Sequence, residues 1–311
     1  MAKRPVDIRI KTILVATDFT DYAYSALCHA ISIAHHHRAR IVLLHVIDPL
    51  AHSSAFEAPL YADGVLHIAA EQQLHKLGCM LTQEEIGHHT VLREGLAPET
   101  ILRSAREHDA DLLVLGSHGR GRIDRIVLGS VAERIVRASP CPVMVVGPQT
   151  SGPDLRSFKC ERILFPTDLR ETSISTAETI AQFAASHGAS LTVLHVLPRS
   201  ATHEVRAATS AKLNQLVEKV RLPGASLHGS LRSGAVDEVI LSQLREGSYS
   251  VLALGLCDTK DFHKGTPAGL AYNLISKAAC PVFTFRKDFP FRAATEPIRF
   301  PPARPTVSRA S

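Results

Sequence analysis

Three short stretches of the chain carry residues suited to holding an anion beside a polyol. The longest runs from Gly116 to Ser130 and places glycines at 116, 119 and 129. Gly116 and Gly119 let the backbone approach a bulky anion, and Gly129-Ser130 opens a predicted helix whose free amides and dipole favour negative charge. The Ser130 hydroxyl can accept from those amides or donate to a phosphate oxygen. Arg120 either screens a polyphosphate or is simply solvated, and Arg122 and Arg125 have a weaker claim to the same role. The second stretch is Ala16-Thr17-Asp18, in which Asp18 either takes a ribose hydroxyl or caps the next helix. The third is Leu44-His45-Val46-Ile47-Asp48.

Other phosphate chemistries fit poorly. A P-loop ends in Gly-Lys-Ser/Thr, which the chain lacks, and the dinucleotide fingerprint wants its third glycine soon after the first strand. Nothing supplies a general base beside a positioned water or a carboxylate pair to hold a metal; Asp18 and Asp124 come nearest. No residue is therefore assigned as catalytic, and any hydrolysis is expected to be slow. Seventeen histidines include the run His35-His36-His37 and the pair His88-His89. Adjacent residues point in different directions, so such a run is a poor chelate and no metal ligand is assigned. A cationic helix end facing the helix dipole is the plainer expectation for residues 35 to 37.

The elements that position these residues follow from an internal repeat. Ile13-Leu14 recurs as Ile163-Leu164, Thr17-Asp18 as Thr167-Asp168, and Leu44-His45-Val46 as Leu194-His195-Val196, all 150 positions apart. Further on, Arg93 matches Arg232, Leu115-Gly116 match Leu254-Gly255, and Cys141-Pro142-Val143 match Cys280-Pro281-Val282, at a spacing of 139. Within each copy, short apolar runs alternate with amphipathic stretches, the pattern of strand-helix units feeding a parallel sheet. In the first copy strands are predicted near residues 12–16, 41–46, 89–92, 112–115 and 143–146. Helices are predicted over 22–37, 63–81, 98–107 and 130–138. The expected domains are residues 1–148 and 159–287, joined by a linker carrying Gly152 and Pro153. Residues 288–311, rich in proline, are expected to form a flexible tail.

Composition narrows the function further. Apolar residues are 45% and charged residues 21% of the chain, as in folded globular proteins. Trp is absent and aromatics are only 5%, which disfavours a base-stacking nucleic-acid surface. The net charge of +5 is scattered, with part of it in the terminal segments, so no nucleic-acid partner is expected. Neither a secretory leader nor a long uncharged apolar run stands out, and no two of the six cysteines form a Cys-x-x-Cys pair. The expectation is a cytoplasmic protein with free thiols and no membrane partner.

The order of strand-end Thr-Asp, Leu-His-Val, Gly-x2-Gly-x9-Gly-Ser and Cys-Pro-Val resembles the universal stress protein (UspA-like) family across both copies. That resemblance implies two tandem α/β domains, each an open-twisted, Rossmann-like five-stranded parallel sheet of order 3-2-1-4-5. It further implies ATP, alone or with magnesium, across the carboxyl edge. Carried over by position, Ala16, Thr17, Asp18 and Val46 look like adenine and ribose contacts. Leu115, Gly116, His118, Gly119, Gly129, Ser130, Val131 and Ala132 look like ribose and phosphate contacts. Position 16 is proline in many ATP-binding relatives; a main-chain contact would survive that difference.

The second copy keeps Pro166-Thr167-Asp168 and His195-Val196, yet its loop has Asp258 at the position of Gly119 and Ala268 at that of Gly129. A carboxylate beside phosphates repels them, so ATP is expected in the first copy alone. The fifth-strand segments Cys141–Val146 and Cys280–Phe285 are short and apolar, and pairing them would cover both edges as an intramolecular pseudo-dimer, with a homodimer as the other arrangement. The leading reading is an ATP-binding stress-response or signalling protein that is not an enzyme. A slow ATPase or nucleotidyl transferase, or a non-nucleotide interaction or metal-binding module, is the alternative.

Overall fold

The computed structural model describes residues 8–49, 64–118, 128–150, 152–223, 225–256 and 267–286. The first copy runs β1 (Thr12–Ala16), α1 (Asp21–His37), β2 (Arg40–Ile47), α2 (Val65–Gln83), β3 (His88–Glu94), α3 (Ala97–Glu107), β4 (Leu112–Gly116), α4 (Ser130–Ala138) and β5 (Val143–Val146). The second runs β6 (Arg162–Pro166), α5 (Thr172–Ser186), β7 (Ser190–Leu197), α6 (His203–Val220), β8 (Ser226–Ser233), α7 (Val236–Glu246), β9 (Val251–Leu256), α8 (Pro267–Lys277) and β10 (Val282–Arg286). The expected elements of the first copy match these to within about two residues at each end. Residues 288–311, expected to be a tail, lie outside the described residues.

Strand order is β3-β2-β1-β4-β5 in the first copy and β8-β7-β6-β9-β10 in the second, the expected 3-2-1-4-5 in each. Neighbours within each copy are parallel, so every crossover needs a helix and both faces of the sheet are covered. Alternation along the strands divides the core accordingly. Ile13, Val15, Ile41, Leu43, Leu112 and Val114 pack on one face with α1 and α2. Leu14, Val42, Leu44, Leu113 and Leu115 pack on the other with α3 and α4.

β5 and β10 lie antiparallel, with Val145 opposite Val282, Met144 opposite Phe283 and Val143 opposite Thr284. Val145 and Phe283 are fully buried there. Arg286 Nη1 donates to the Arg137 carbonyl at 2.6 Å, and Arg137 Nε donates to Tyr272 Oη at 2.8 Å. Phe283 also packs on Phe183 with ring centroids 5.4 Å apart. Replacing Phe283 by Asp puts a carboxylate into this fully buried apolar ladder. Chemical denaturation should show a loss of several kcal/mol, about 3 or more, and the 149–158 linker should become a faster protease target.

Candidate functional site

The order of strands reverses between β1 and β4, and this is where a doubly wound sheet opens a crevice at its carboxyl edge. Three strands deliver the expected residues to that edge. Ala16 closes β1 opposite Leu44, Val46 and Ile47 close β2, and Gly116 closes β4 opposite Val146. Leu115 is buried one residue back, where it packs in the core. The expected residues Gly119 and Arg120 lie outside the described residues, as do Arg122, Asp124 and Arg125.

The turn after β1 is held by its own side chains. Thr17 N donates to the Leu44 carbonyl at 2.9 Å, continuing the β1–β2 ladder past the strand end. Thr17 Oγ1 accepts from Phe19 N at 3.1 Å, and Phe19 takes the left-handed conformation with φ of 65°. Asp18 was expected either to cap the helix or to take a hydroxyl. The cap is Thr20, whose Oγ1 accepts from Ala23 N at 3.3 Å. Asp18 Oδ1 instead accepts from Thr20 N at 3.1 Å and from Thr20 Oγ1 at 2.6 Å, so it orients the capping residue.

His45 is a residue of this edge that the sequence reading passed over in favour of its neighbour Val46. Its side chain is buried, its Nδ1 donates to the Thr17 carbonyl at 2.7 Å, and its ring lies 4.3 Å from Phe19. The bond fixes where the Thr17-Asp18 turn sits relative to β2. The repeat carried the signal: His195 Nδ1 donates to the Thr167 carbonyl at 2.8 Å in the second copy.

Beyond β4 the chain turns tightly. Ser117 N donates to the Val146 carbonyl at 2.9 Å, and Gly129 N returns to the Ser117 carbonyl at 2.8 Å, which brings the start of α4 against the end of β4. Gly129 is the N-cap of α4, extended at φ −61° and ψ 145°, and no side chain caps the helix. Of the two roles open to Ser130, accepting from the helix amides or donating to a phosphate oxygen, the first is not seen: Gly129 is the N-cap, and Ser130 is the first helical residue and is exposed. Val131 is half-buried and Ala132 buried. His118 Nδ1 bonds Ser117 Oγ at 2.7 Å and its ring stands 5.6 Å from Tyr22 at the start of α1. In the second copy α8 already begins at Pro267, so Ala268 and Gly269, the counterparts of Gly129 and Ser130, lie within the helix. Asp258 lies outside the described residues.

The described elements thus gather a carboxylate, main-chain groups at three strand ends and an uncapped helix start at one edge of the first copy. The Universal stress protein family matches this chain over residues 9–147 and again over 159–286. The chain belongs to the universal stress protein family. This tandem universal stress protein is 33% identical over 138 residues to Universal stress protein MJ0531 of Methanocaldococcus jannaschii, spanning 44% of this chain and 81% of that one. It is 29% identical over 158 residues to Universal stress protein MJ0577 of the same organism, spanning 45% of this chain and 97% of that one. The crystal structure of a universal stress protein from Archaeoglobus fulgidus covers 93% of this chain and 98% of its own, with a TM-score of 0.69 and 18% identity, a likeness of fold. Among the described residues, no helix is long and apolar enough to cross a membrane.

Gly116 is required by close approach rather than by its backbone angles. A Cβ there would stand 3.0 Å from the Tyr22 carbonyl carbon and 3.1 Å from Ala23 N, both backbone atoms of α1. At Gly255 in the second copy the nearest atom is instead the Thr176 methyl, at 3.0 Å. Gly116→Ala should therefore cost about 1–3 kcal/mol in urea unfolding, as overpacked sites do. Gly255→Ala should cost less, because a side chain can yield where a backbone cannot.

Proposed function

We propose that the first copy binds one molecule of ATP across its carboxyl edge, and that the protein acts through that occupancy as a nucleotide-dependent stress-response or signalling protein. The observation that carries the reading is the start of α4. Its first-turn amides have no side-chain cap, and they stand beside Gly116, Ser117 and His118 at the sheet's switch point. Free helix amides and the helix dipole suit a phosphate group. Ala16, Thr17, Asp18 and Val46 lie at the neighbouring strand ends, on the side where the base and ribose would rest. Leu115, Val131 and Ala132 back the site, and Ser130 offers its hydroxyl at the phosphate end. Gly119 and Arg120 complete the loop by sequence. Magnesium, if it accompanies ATP, would be held mainly by the phosphates.

The second copy is read as a structural partner without ATP. Its helix begins two residues early relative to the repeat, so Ala268 and Gly269 do not form the extended glycine entry seen at Gly129, and its loop carries Asp258. We read the β5–β10 ladder as a built-in pseudo-dimer, which spares the chain any need to associate through that edge. The protein is read as a binding protein rather than an enzyme. Its described cysteines, Cys28, Cys79, Cys141, Cys160 and Cys280, are free thiols, which suits a reducing cytoplasm.

Gly129→Asp tests the phosphate end without endangering the fold. Aspartate is a favoured N-cap residue and the backbone at 129 suits an ordinary side chain, so α4 should be stabilised. The new carboxylate takes the same amides and repels phosphate. Calorimetry should find one ATP per wild-type chain, and in the variant an affinity for ATP weaker by about tenfold or more, with adenosine little changed. Two equivalent ATP sites in the wild type, or equal losses for ATP and adenosine, would refute this reading.

A further inference from the structure

Three imidazoles converge at the opposite end of α1 from the carboxyl edge. A helix of 17 residues separates the two places by about 25 Å. His36 and His37 are the last residues of α1, and His187 directly follows α5. His37 and His187 occupy the same position of the repeat, 150 residues apart, and their Nε2 atoms are 3.0 Å from one another. The His36 ring stacks on His187 at 5.0 Å and meets His37 edge-on at 4.9 Å. One ligand atom from each of the three lies within 4.8 Å of the others. A histidine run on one helix is a poor chelate by itself, but here the third imidazole comes from the other copy.

We propose that His36, His37 and His187 form a site for one divalent first-row transition ion, with zinc as the ion it suits, shared between the two copies. An all-imidazole donor set suits such ions and does not suit magnesium or calcium, which take oxygen ligands. Zinc–nitrogen bonds of about 2.0–2.1 Å place two tetrahedral ligands roughly 3.3 Å apart, close to the spacing of the His37 and His187 nitrogens. His187 Nδ1 donates to the Phe183 carbonyl at 2.7 Å, so its proton is fixed there and its Nε2 lone pair faces His37. That is the outer-shell bond by which proteins orient a ligating histidine. His37 then carries the proton between the two Nε2 atoms, and taking up an ion requires only that it hold this proton on Nδ1 instead. His36 is exposed and its ring can swing to join the pair.

The surroundings are consistent with a reachable site. An open cleft of about 200 Å³, lined by Ile8, Arg9, His36, His37, Arg38 and Ser186, gives access from solvent. Arg9 and Arg38 favour an anion or hydroxide as the fourth ligand. His35 takes no part: its Nε2 stands 3.5 Å from Glu84 Oε2.

The full chain, stripped with a chelator, can be titrated with cobalt(II) under visible absorption and with zinc under calorimetry. One cobalt per chain with tetrahedral ligand-field bands, displaced by zinc, is the expected result. His187→Asn and His37→Gln should each weaken zinc by at least about 100-fold, since losing even an outer-shell partner costs about 10–100-fold. His35→Gln should leave binding unchanged, and zinc should raise the unfolding temperature of the wild type but not of His187→Asn. Should the two half-buried variants fail to fold, the exposed position decides: His36→Gln binding zinc about tenfold more weakly supports the site. No stoichiometric binding, binding that survives His187→Asn in a folded protein, or binding unchanged in His36→Gln overturns it.

Discussion

β1 is hydrogen-bonded on both sides by parallel neighbours, β2 and β4, and the rest of the first copy depends on that constraint. A parallel neighbour cannot be reached by a tight turn, so each connection must cross a face of the sheet as a helix. The connection leaving β1 runs toward β2 and the one leaving β4 runs toward β5, so the two part company at the carboxyl edge between these strands. The turn after β1, the end of β2 and the start of the loop after β4 are thereby brought to one edge without any requirement for contacts among their side chains. Details of the site refine this placement. The Thr17 carbonyl is held by His45, the Thr17 amide by Leu44, and the small size of Gly116 lets α1 descend onto β4.

The two copies show which of these details the backbone itself demands. The His-to-Thr carbonyl bond, the Thr amide bond to the second strand and the left-handed residue two positions after the threonine recur at His195, Thr167 and Leu169. At the opposite edge the identities change while the geometry stays. Asp111 Oδ2 accepts from Lys11 N at 2.8 Å and Thr12 N at 2.9 Å. The equivalent residue, Ser250, uses Oγ to accept from Glu161 N and Arg162 N at 3.1 and 3.3 Å. Both remedies answer the same need, since the amides entering a central strand would otherwise be left without partners. A site of ligand chemistry has no such backstop, and the start of the last helix is where the copies part: an extended Gly129 before α4, against helix already from Pro267 in α8.

Much of this was legible in the sequence because it is local or periodic. Alternation of apolar runs marks the strands and the repeat marks their order of appearance, so the element boundaries of the first copy agree to within about two residues. The strand-end positions of Thr17, Val46 and Gly116 followed from the same pattern. What escaped depended on partners distant in the chain or on competition among neighbours. Asp18 offered two roles by type and spacing, and only the position of Thr20 between it and the helix reveals a third, orienting the cap. His45 looked like a strand residue whose neighbour mattered more. Its bond crosses from β2 to the turn after β1, a contact between residues 28 apart that no window of sequence displays.

The histidine run shows how magnitudes overturn a local rule. A cationic side chain at a helix C-terminus gains roughly 0.3–1 kcal/mol from the dipole, and about 2 kcal/mol in favourable settings. On that basis His35, His36 and His37 suit the end of α1 as charged groups. His37, however, is pressed into the junction where α1 and α5 end together, and burial first, then the nearby His187, His36 and Arg9, carry its pKa from 6.5 to about 3. Each pKa unit is worth about 1.4 kcal/mol, so the cost of charging it there is on the order of several kcal/mol and exceeds what the helix end returns. The dipole therefore does not decide the protonation of His37; its burial at the junction of the two copies does. A residue buried there against a side chain 150 positions away belongs to the junction rather than to its helix, and its chemistry follows from what the junction gathers around it.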